Sequence, residues 1–257
     1  MINSLGSIKK TMINTYNFIT NMKLRYNFKN TTDYARLTQK ITDKQFIMIG
    51  EAHNSTTHIA FEWKIMKTLF NQNKPTALFL EVSNTEDYRK DVEECVKHKD
   101  RPLESFSKLR TLKHPEEILK MIRYAAAHSI EIKLCDMSHI ELAERINKRR
   151  EELIKDQSKH PKNINMNILL NIRYYALYME NRDGLEKERN QIISKEIHDY
   201  IVKNPGKRIL AVLGMIHISG ENDTENSVLK ILSRMGVKDQ AILMPEPVGT
   251  FIRYTTA

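Results

Sequence analysis

The sequence predicts an α/β fold: a mostly parallel central sheet flanked by helices, with a helical insert and an N-terminal helical arm. Three observations predict it. Short apolar runs alternate with longer segments of helical periodicity, the pattern of strand–helix–strand units. The runs are apolar at consecutive positions rather than alternate ones, which marks strands buried on both faces. Two runs close with the same G-x-x-H spacing, Gly50-Glu51-Ala52-His53 and Gly214-Met215-Ile216-His217. Ligands of open parallel sheets bind at the carboxyl ends of the strands. The spacing therefore points to two histidines that could meet at one site.

Each element follows from local chemistry. Residues 1–40 are Asn-rich and weakly amphipathic, and read as a peripheral arm, with 41–257 as a single domain. Residues 45–50 form the first strand. A threonine, Thr56 or Thr57, caps a helix running to about Asn71, with Phe61, Ile65 and Leu69 on one face. Pro75 breaks the chain before the strand Ala77 to Val82. A helical insert covers about 84–128, with turns near Arg101-Pro102 and His114-Pro115. Ile130 to Cys135 is a strand ending at Asp136, and helices follow to about 156. The stretch 156–167 reads as an exposed connection, followed by helices at 166–181 and 184–203. Asn204-Pro205-Gly206 stops the last of these. A strand ending at Gly214, a helix near 224–235, a strand at Ala241 to Met244 and an edge strand at Phe251 to Tyr254 complete the pattern.

Composition narrows the function classes. A chain of 257 residues can bury a large core, and only Cys95 and Cys135 are present, so no disulfide framework is expected. The net charge of +9 would suit nucleic acid or an anionic surface. The basic residues, however, interleave with acidic ones, as in Arg145-Ile146-Asn147-Lys148-Arg149-Arg150-Glu151-Glu152. That is a solvated helix face with i,i+4 pairs, and no specific nucleic-acid signal. No run approaches the ~18 apolar residues of a membrane span. No classical signal peptide is visible either, so the expected location is the cytoplasm, or wherever a specialised secretion system delivers the chain.

The strand ends carry the candidate chemistry. Glu51 and His53 follow the first strand, Glu81 ends the second, Asp136 the third, and His217 follows the fourth. Glu81 lies inside Leu80-Glu81-Val82, and a buried carboxylate is costly unless paired or metal-bound. Two histidines and a carboxylate make a common catalytic metal set. His53, Glu81 and His217 are therefore the candidate metal ligands, for Mn, Co or Zn, with Glu51 as general base or further ligand. Arg189 shares a helix face with Ile193 and Ile197, so it points toward the sheet and needs a carboxylate or anionic ligand. The competing reading is a structural salt bridge to an acidic strand end. Asp136 could equally cap the next helix, and His58 could equally be a capping or surface residue. Neither a dinucleotide-binding glycine motif, a phosphate-binding loop nor a serine elbow is present.

Ile49-Gly50-Glu51-Ala52-His53-Asn54 with His58, Leu80-Glu81, Glu188-Arg189-Asn190-Gln191 and Gly206 to His217 occur in an order that resembles the Tiki/TraB/erythromycin-esterase superfamily. The match is nearest to its ChaN-like branch and spans about 45–220. The resemblance implies an α/β fold with its site at the strand ends, built from His53, Glu81, His217, Arg189 and Asn190. It also implies several chemistries: metal-dependent proteolysis, lactone hydrolysis and haem binding. The chain departs from these branches in showing no lipidated cysteine or membrane anchor, and in its short Glu51-Ala52-His53 spacing.

Three expectations result. The first is a metal-dependent hydrolase of a small-molecule or peptide substrate, acting on a peptide, ester or lactone bond. Its catalytic residues would be Glu51, His53, Arg189 and Asn190. The second is a haem-binding protein, which needs an axial ligand such as His or Tyr beside an apolar slot, with Tyr88, Tyr124 and Tyr174 as candidates. The third is a non-catalytic effector or interaction module on the same fold. The sequence leaves the oligomeric state open.

Overall fold

The computed structural model describes residues 24–51, 56–72, 74–112, 114–137, 144, 148, 186–219, 224–245 and 251–256. In chain order the elements are β1 (Leu24–Asn27), α1 (Thr31–Ile41), β2 (Phe46–Glu51), α2 (Thr56–Gln72) and β3 (Ala77–Ser83). Next come α3 (Glu86–Lys97), α4 (Pro115–Ala127), β4 (Glu131–Asp136) and α5 (186–203). Then follow β5 (Ile209–Gly214), α6 (Met215–Ser219), α7 (Val228–Arg234), β6 (Gln240–Pro245) and β7 (Phe251–Thr256).

The strands form one seven-stranded sheet in the order β1-β7-β6-β2-β5-β3-β4. The run from β6 to β4 is parallel throughout, and β7 and β1 add on antiparallel. The fold class expected from the apolar runs is the one observed. Details differ. The strand at 251–256 is not an edge: it lies between β6 and β1. The segment 24–41, most of it within the helical arm the sequence predicts, supplies that edge strand in addition to a packed helix. Its Asn30 side chain accepts from Thr32 N (2.9 Å) and Asp33 N (3.1 Å), an N-cap, and Leu37 and Ile41 are fully buried. The insert is two helices, α3 and α4, joined through two short 3-10 turns, Leu103–Ser105 and Leu109–Thr111. The helix expected over 166–181 lies outside the described residues.

The pleat sorts side chains between two faces. Ile47 and Ile49 of β2, Leu78, Leu80 and Val82 of β3, and Leu210 and Val212 of β5 join one core with α2, α3 and α4. Phe46 and Met48, Ala77 and Phe79, and Ile209, Ala211 and Leu213 join a second core with α5, α6 and α7. Helices on both faces explain why these strands read as unbroken apolar runs.

Connectivity places the site. After β2 the chain crosses through α2 to β3, on one side; after β5 it crosses through α7 to β6, on the other side of β2. β2 and β5 are neighbours, with Glu51 opposite Gly214. This is a topological switch point, where a parallel sheet opens a crevice at its carboxyl edge.

Candidate functional site

The end of β3 carries Glu81. By alternation with Ala77 and Phe79, it faces the α5 side of the sheet. Helix α5 is held there by Ile193 and Ile197, both fully buried and each contributing about 1.5–3 kcal/mol. One turn before Ile193, Arg189 donates from Nε to Asp136 Oδ1 (2.9 Å) and from Nη2 to Asp136 Oδ2 (2.6 Å), a bidentate pair. The same Nη2 donates to Glu81 Oε1 at 3.0 Å. One guanidinium thus ties the ends of β3 and β4 together. Asp136 also accepts from Met137 N at 2.7 Å, closing its own turn.

Glu81 Oε2 accepts from the N–H of Gly214, the last residue of β5. His217 sits in the first turn of α6, which starts directly after β5. Its Nδ1 lies 2.6 Å from Asn190 Oδ1, and its Nε2 lies 3.0 Å from Glu81 Oε1. The second approach is a close charge contact off the N–H axis rather than an aligned hydrogen bond. The tautomer follows from Asn190. Its Nδ2 donates to Asn226 O (2.9 Å), so Oδ1 is the atom turned to the imidazole, and His217 Nδ1 must be the donor. Nε2 then approaches a carboxylate favourably only when it also carries a proton.

Exposure is graded across the network: the His217 side chain is 1% exposed, Glu81 12% and Arg189 23%. Burial by itself would raise the Glu81 carboxyl. The His217 imidazole, the Arg189 charge and the Gly214 N–H overcome burial and hold it at about 2. Burial works against the Arg189 charge, but Asp136 and Glu81 hold its proton more tightly than usual. Cys135 is fully buried beneath, donates to Leu80 O (3.2 Å) and is pushed up by burial, which makes it inert packing.

Five of the residues singled out in the sequence are thus brought together: Glu81, Asp136, Arg189, Asn190 and His217. Glu51 ends the neighbouring strand β2 and is half-buried. His53 lies outside the described residues. His58 is not a surface residue: it is 2% exposed, in the first turns of α2.

The described residues do not fit a divalent cation. Both Glu81 oxygens are engaged, Oε1 by the Arg189 guanidinium at 3.0 Å and Oε2 by the Gly214 N–H, and His217 Nδ1 is held by Asn190 Oδ1. A Mn, Co or Zn ion at Glu81 would have to displace Arg189 against its own charge, and His53, the third of the expected ligands His53, Glu81 and His217, lies outside the described residues. No group of three or more His, Cys, Asp or Glu able to hold a metal occurs among the described residues.

Sequence reasoning missed one residue. Glu62 of α2 is 1% exposed, and its two carboxyl oxygens have no hydrogen-bond partner among the described residues. Its signal was there to read: it lies four residues after His58, inside the apolar set Phe61, Ile65, Met66 and Leu69.

No family model matches the chain, and no curated protein matches it. Solved structures do. ChaN of Campylobacter jejuni, a structure describing cofacial haem binding, superposes with a TM-score of 0.54 at 14% identity. The match covers 90% of this chain and 96% of that one. The shared fold is therefore ChaN-like across almost the whole length of both. Two toxin structures are more distant. RRSP, a MARTX toxin effector domain from Vibrio vulnificus, gives a TM-score of 0.41 at 14% identity, over 89% of this chain and 41% of that one. A structure described as bacterial protein toxins gives 0.43 at 14% identity, over 95% and 46%. This chain spans less than half of either toxin chain. No helix among the described residues is long and apolar enough to cross a membrane.

Proposed function

We propose that the chain is an acid–base hydrolase of a peptide, ester or lactone bond, working at the carboxyl ends of β2, β3 and β5 without a divalent cation in the described network. The observation that carries this reading is the oriented imidazole: Asn226 O fixes Asn190, Asn190 fixes His217 Nδ1–H, and His217 faces Glu81. Buried ionic networks are costly to assemble, and they concentrate where chemistry needs them. A carboxylate held at about 2 is a weak proton acceptor at neutral pH, so Glu81 serves as a fixed charge that positions Arg189. Arg189, the most exposed member at 23%, would meet a substrate oxygen and stabilise charge developing on it. The base is then Glu51 or His53, at the adjoining strand end.

The second reading is haem handling, and the comparisons favour it over any cation-dependent hydrolase: ChaN shares the fold across nearly its whole length. Two of the three candidate tyrosines are packed into the helix-covered core. Tyr88 is buried in α3 beside Thr111, and Tyr124 of α4 stacks on Phe70 (centroids 5.5 Å apart), while Tyr174 lies outside the described residues. An effector module that has kept the fold without chemistry is the remaining outcome.

One experiment separates the three. The purified chain and its His217→Asn and Asn190→Ala variants are assayed on p-nitrophenyl esters and a peptide mixture, with a parallel haem titration followed in the Soret band. Turnover lost by about 10²-fold or more in both variants, with melting temperatures kept within a few degrees, is the expected result. A saturable Soret shift without turnover moves the assignment to haem handling. Neither signal leaves the interaction module.

A further inference from the structure

Helix α2 carries an acidic side chain in the middle of its buried face. Glu62 is 1% exposed and His58, one turn earlier, 2%, while Phe61, Ile65, Met66 and Leu69 on the same face are fully buried. Neither Glu62 oxygen has a hydrogen-bond partner. A leucine or methionine would fill the position without that cost, so packing alone leaves Glu62 unexplained.

The backbone gives the direction of the carboxyl. β2 ends at Glu51 and α2 starts at Thr56, so the first turn of α2 stands at the carboxyl edge of the sheet. Glu62 lies about 9 Å along the helix axis from that first residue. Helical Cα–Cβ bonds tilt toward the N-terminus, so its carboxyl leans back toward the strand ends. Glu51 continues the alternation of Ile47 and Ile49, so it points to the same α2 face, and it is half-buried. Glu51 thus marks the open side of the position and Glu62 its closed side. On the α5 face, Glu81 receives a guanidinium and a backbone N–H; Glu62 receives neither. A cation entering past Glu51 would supply both the missing donors and the missing charge. An ammonium on an alkyl stem suits such a place, because the stem lies against apolar side chains while the head reaches the carboxylate.

We propose that Glu62 is the specificity residue of a cation subsite on the α2 face, which takes the alkylammonium group of a lysine-like substrate, with Glu51 at its outer end. Its use in choosing a substrate rests on the hydrolase reading above; its binding of the cation does not.

The test uses the full chain and two probes that differ only in the terminal ammonium, Nα-acetyl-lysine methylamide and Nα-acetyl-norleucine methylamide, with binding read by saturation-transfer NMR. The lysine probe should bind about 10-fold tighter or more, and Glu62→Gln should bring the two within about 2-fold of each other. Glu62→Met takes the place of Gln if that variant fails to fold, with the melting temperature as the check. Equal binding of the probes, binding of neither, or a preference that the variant keeps overturns the proposal. The p-nitrophenyl esters of the same two amino acids are assayed in parallel. Lysine-selective binding without turnover removes the hydrolase and keeps the subsite. Turnover of both esters at one rate, unchanged in Glu62→Gln, removes the subsite and keeps the hydrolase.

Discussion

The two faces of the sheet each bury a glutamate within a short distance of the strand ends, and they treat it in opposite ways. On the α5 side, Glu81 meets a guanidinium, a backbone N–H and an imidazole, and ends at about 2. On the α2 side, Glu62 meets no donor among the described residues. Burial, with the charge of Glu51 added, lifts it to about 9. Burial opposes charge at both sites, so what differs is whether the fold supplies compensation. Environments that push two carboxyls apart in this way commonly separate a permanently charged group from a proton-bearing one. The difference leaves one carboxyl charged and the other protonated at neutral pH, and each state can be attacked separately.

The largest effect should come from Arg189→Met. Removing the guanidinium leaves Asp136 and Glu81 buried beside each other without it, and breaking such a network costs about 3–5 kcal/mol. Urea unfolding at pH 7 is the measurement. A loss below about 1 kcal/mol would mean that the network is open to water and Glu81 is not the paired member of the comparison. Arg189→Lys should recover only part of the loss, because an ammonium cannot make the bidentate contact to Asp136.

The pH dependence of stability separates the two glutamates by sign. Glu62 binds its proton more tightly folded than unfolded, so the folded state is favoured most at low pH. That contribution is lost as pH rises from its ordinary value of 4.5 through about 9. Glu62→Gln should therefore flatten the alkaline fall and raise stability above pH 8, by an amount on the order of a few kcal/mol. Glu81 is the reverse: its contribution is present above 4.5 and lost as pH falls toward 2. Its loss belongs to the acid limb alone. Stability curves from pH 2 to 10 for the native chain and Glu62→Gln decide the point, and an unchanged alkaline limb would remove Glu62 from the comparison.

How much of this was legible in the sequence depended on what kind of signal each residue left. The strands announced themselves because two-sided burial writes a continuous apolar run, as in Phe46 to Ile49 and Ile209 to Leu213. Arg189 announced itself because an arginine in register with Ile193 and Ile197 must face the sheet. The edge strand Leu24–Asn27 was invisible: one short antiparallel strand carries no period that separates it from a loop. The cation expected at Glu81 and His217 came from residue types alone. Which lone pairs an arginine and a backbone N–H already occupy is a matter of distance, and spacing does not encode it. Glu62 was passed over for a related reason. Among the charges of α2 it looks like a surface residue until the helix is rotated, and then the apolar neighbours on either side show that it points inward.

The smallest effect is the most selective. Gly50 precedes Glu51 by one residue, so by alternation its missing side chain lies on the α5 face, while Glu51 turns to α2. A Cβ built there would lie 2.9 Å from Met244 Sδ and 3.2 Å from Met215 Cγ. Both atoms belong to unbranched methionine side chains that can change rotamer, so Gly50→Ala should fold, at a cost of about 1–3 kcal/mol for the overpacking. Met215 opens α6, two residues before His217. Displacing it should disturb the seat of the imidazole against Glu81 and leave α2 where it is. The expected signature is a shallower acid limb at an unaltered alkaline limb, read in the same pH series. Were both limbs to move together, the two glutamates would be parts of one cooperative site, and the division between the faces would fail.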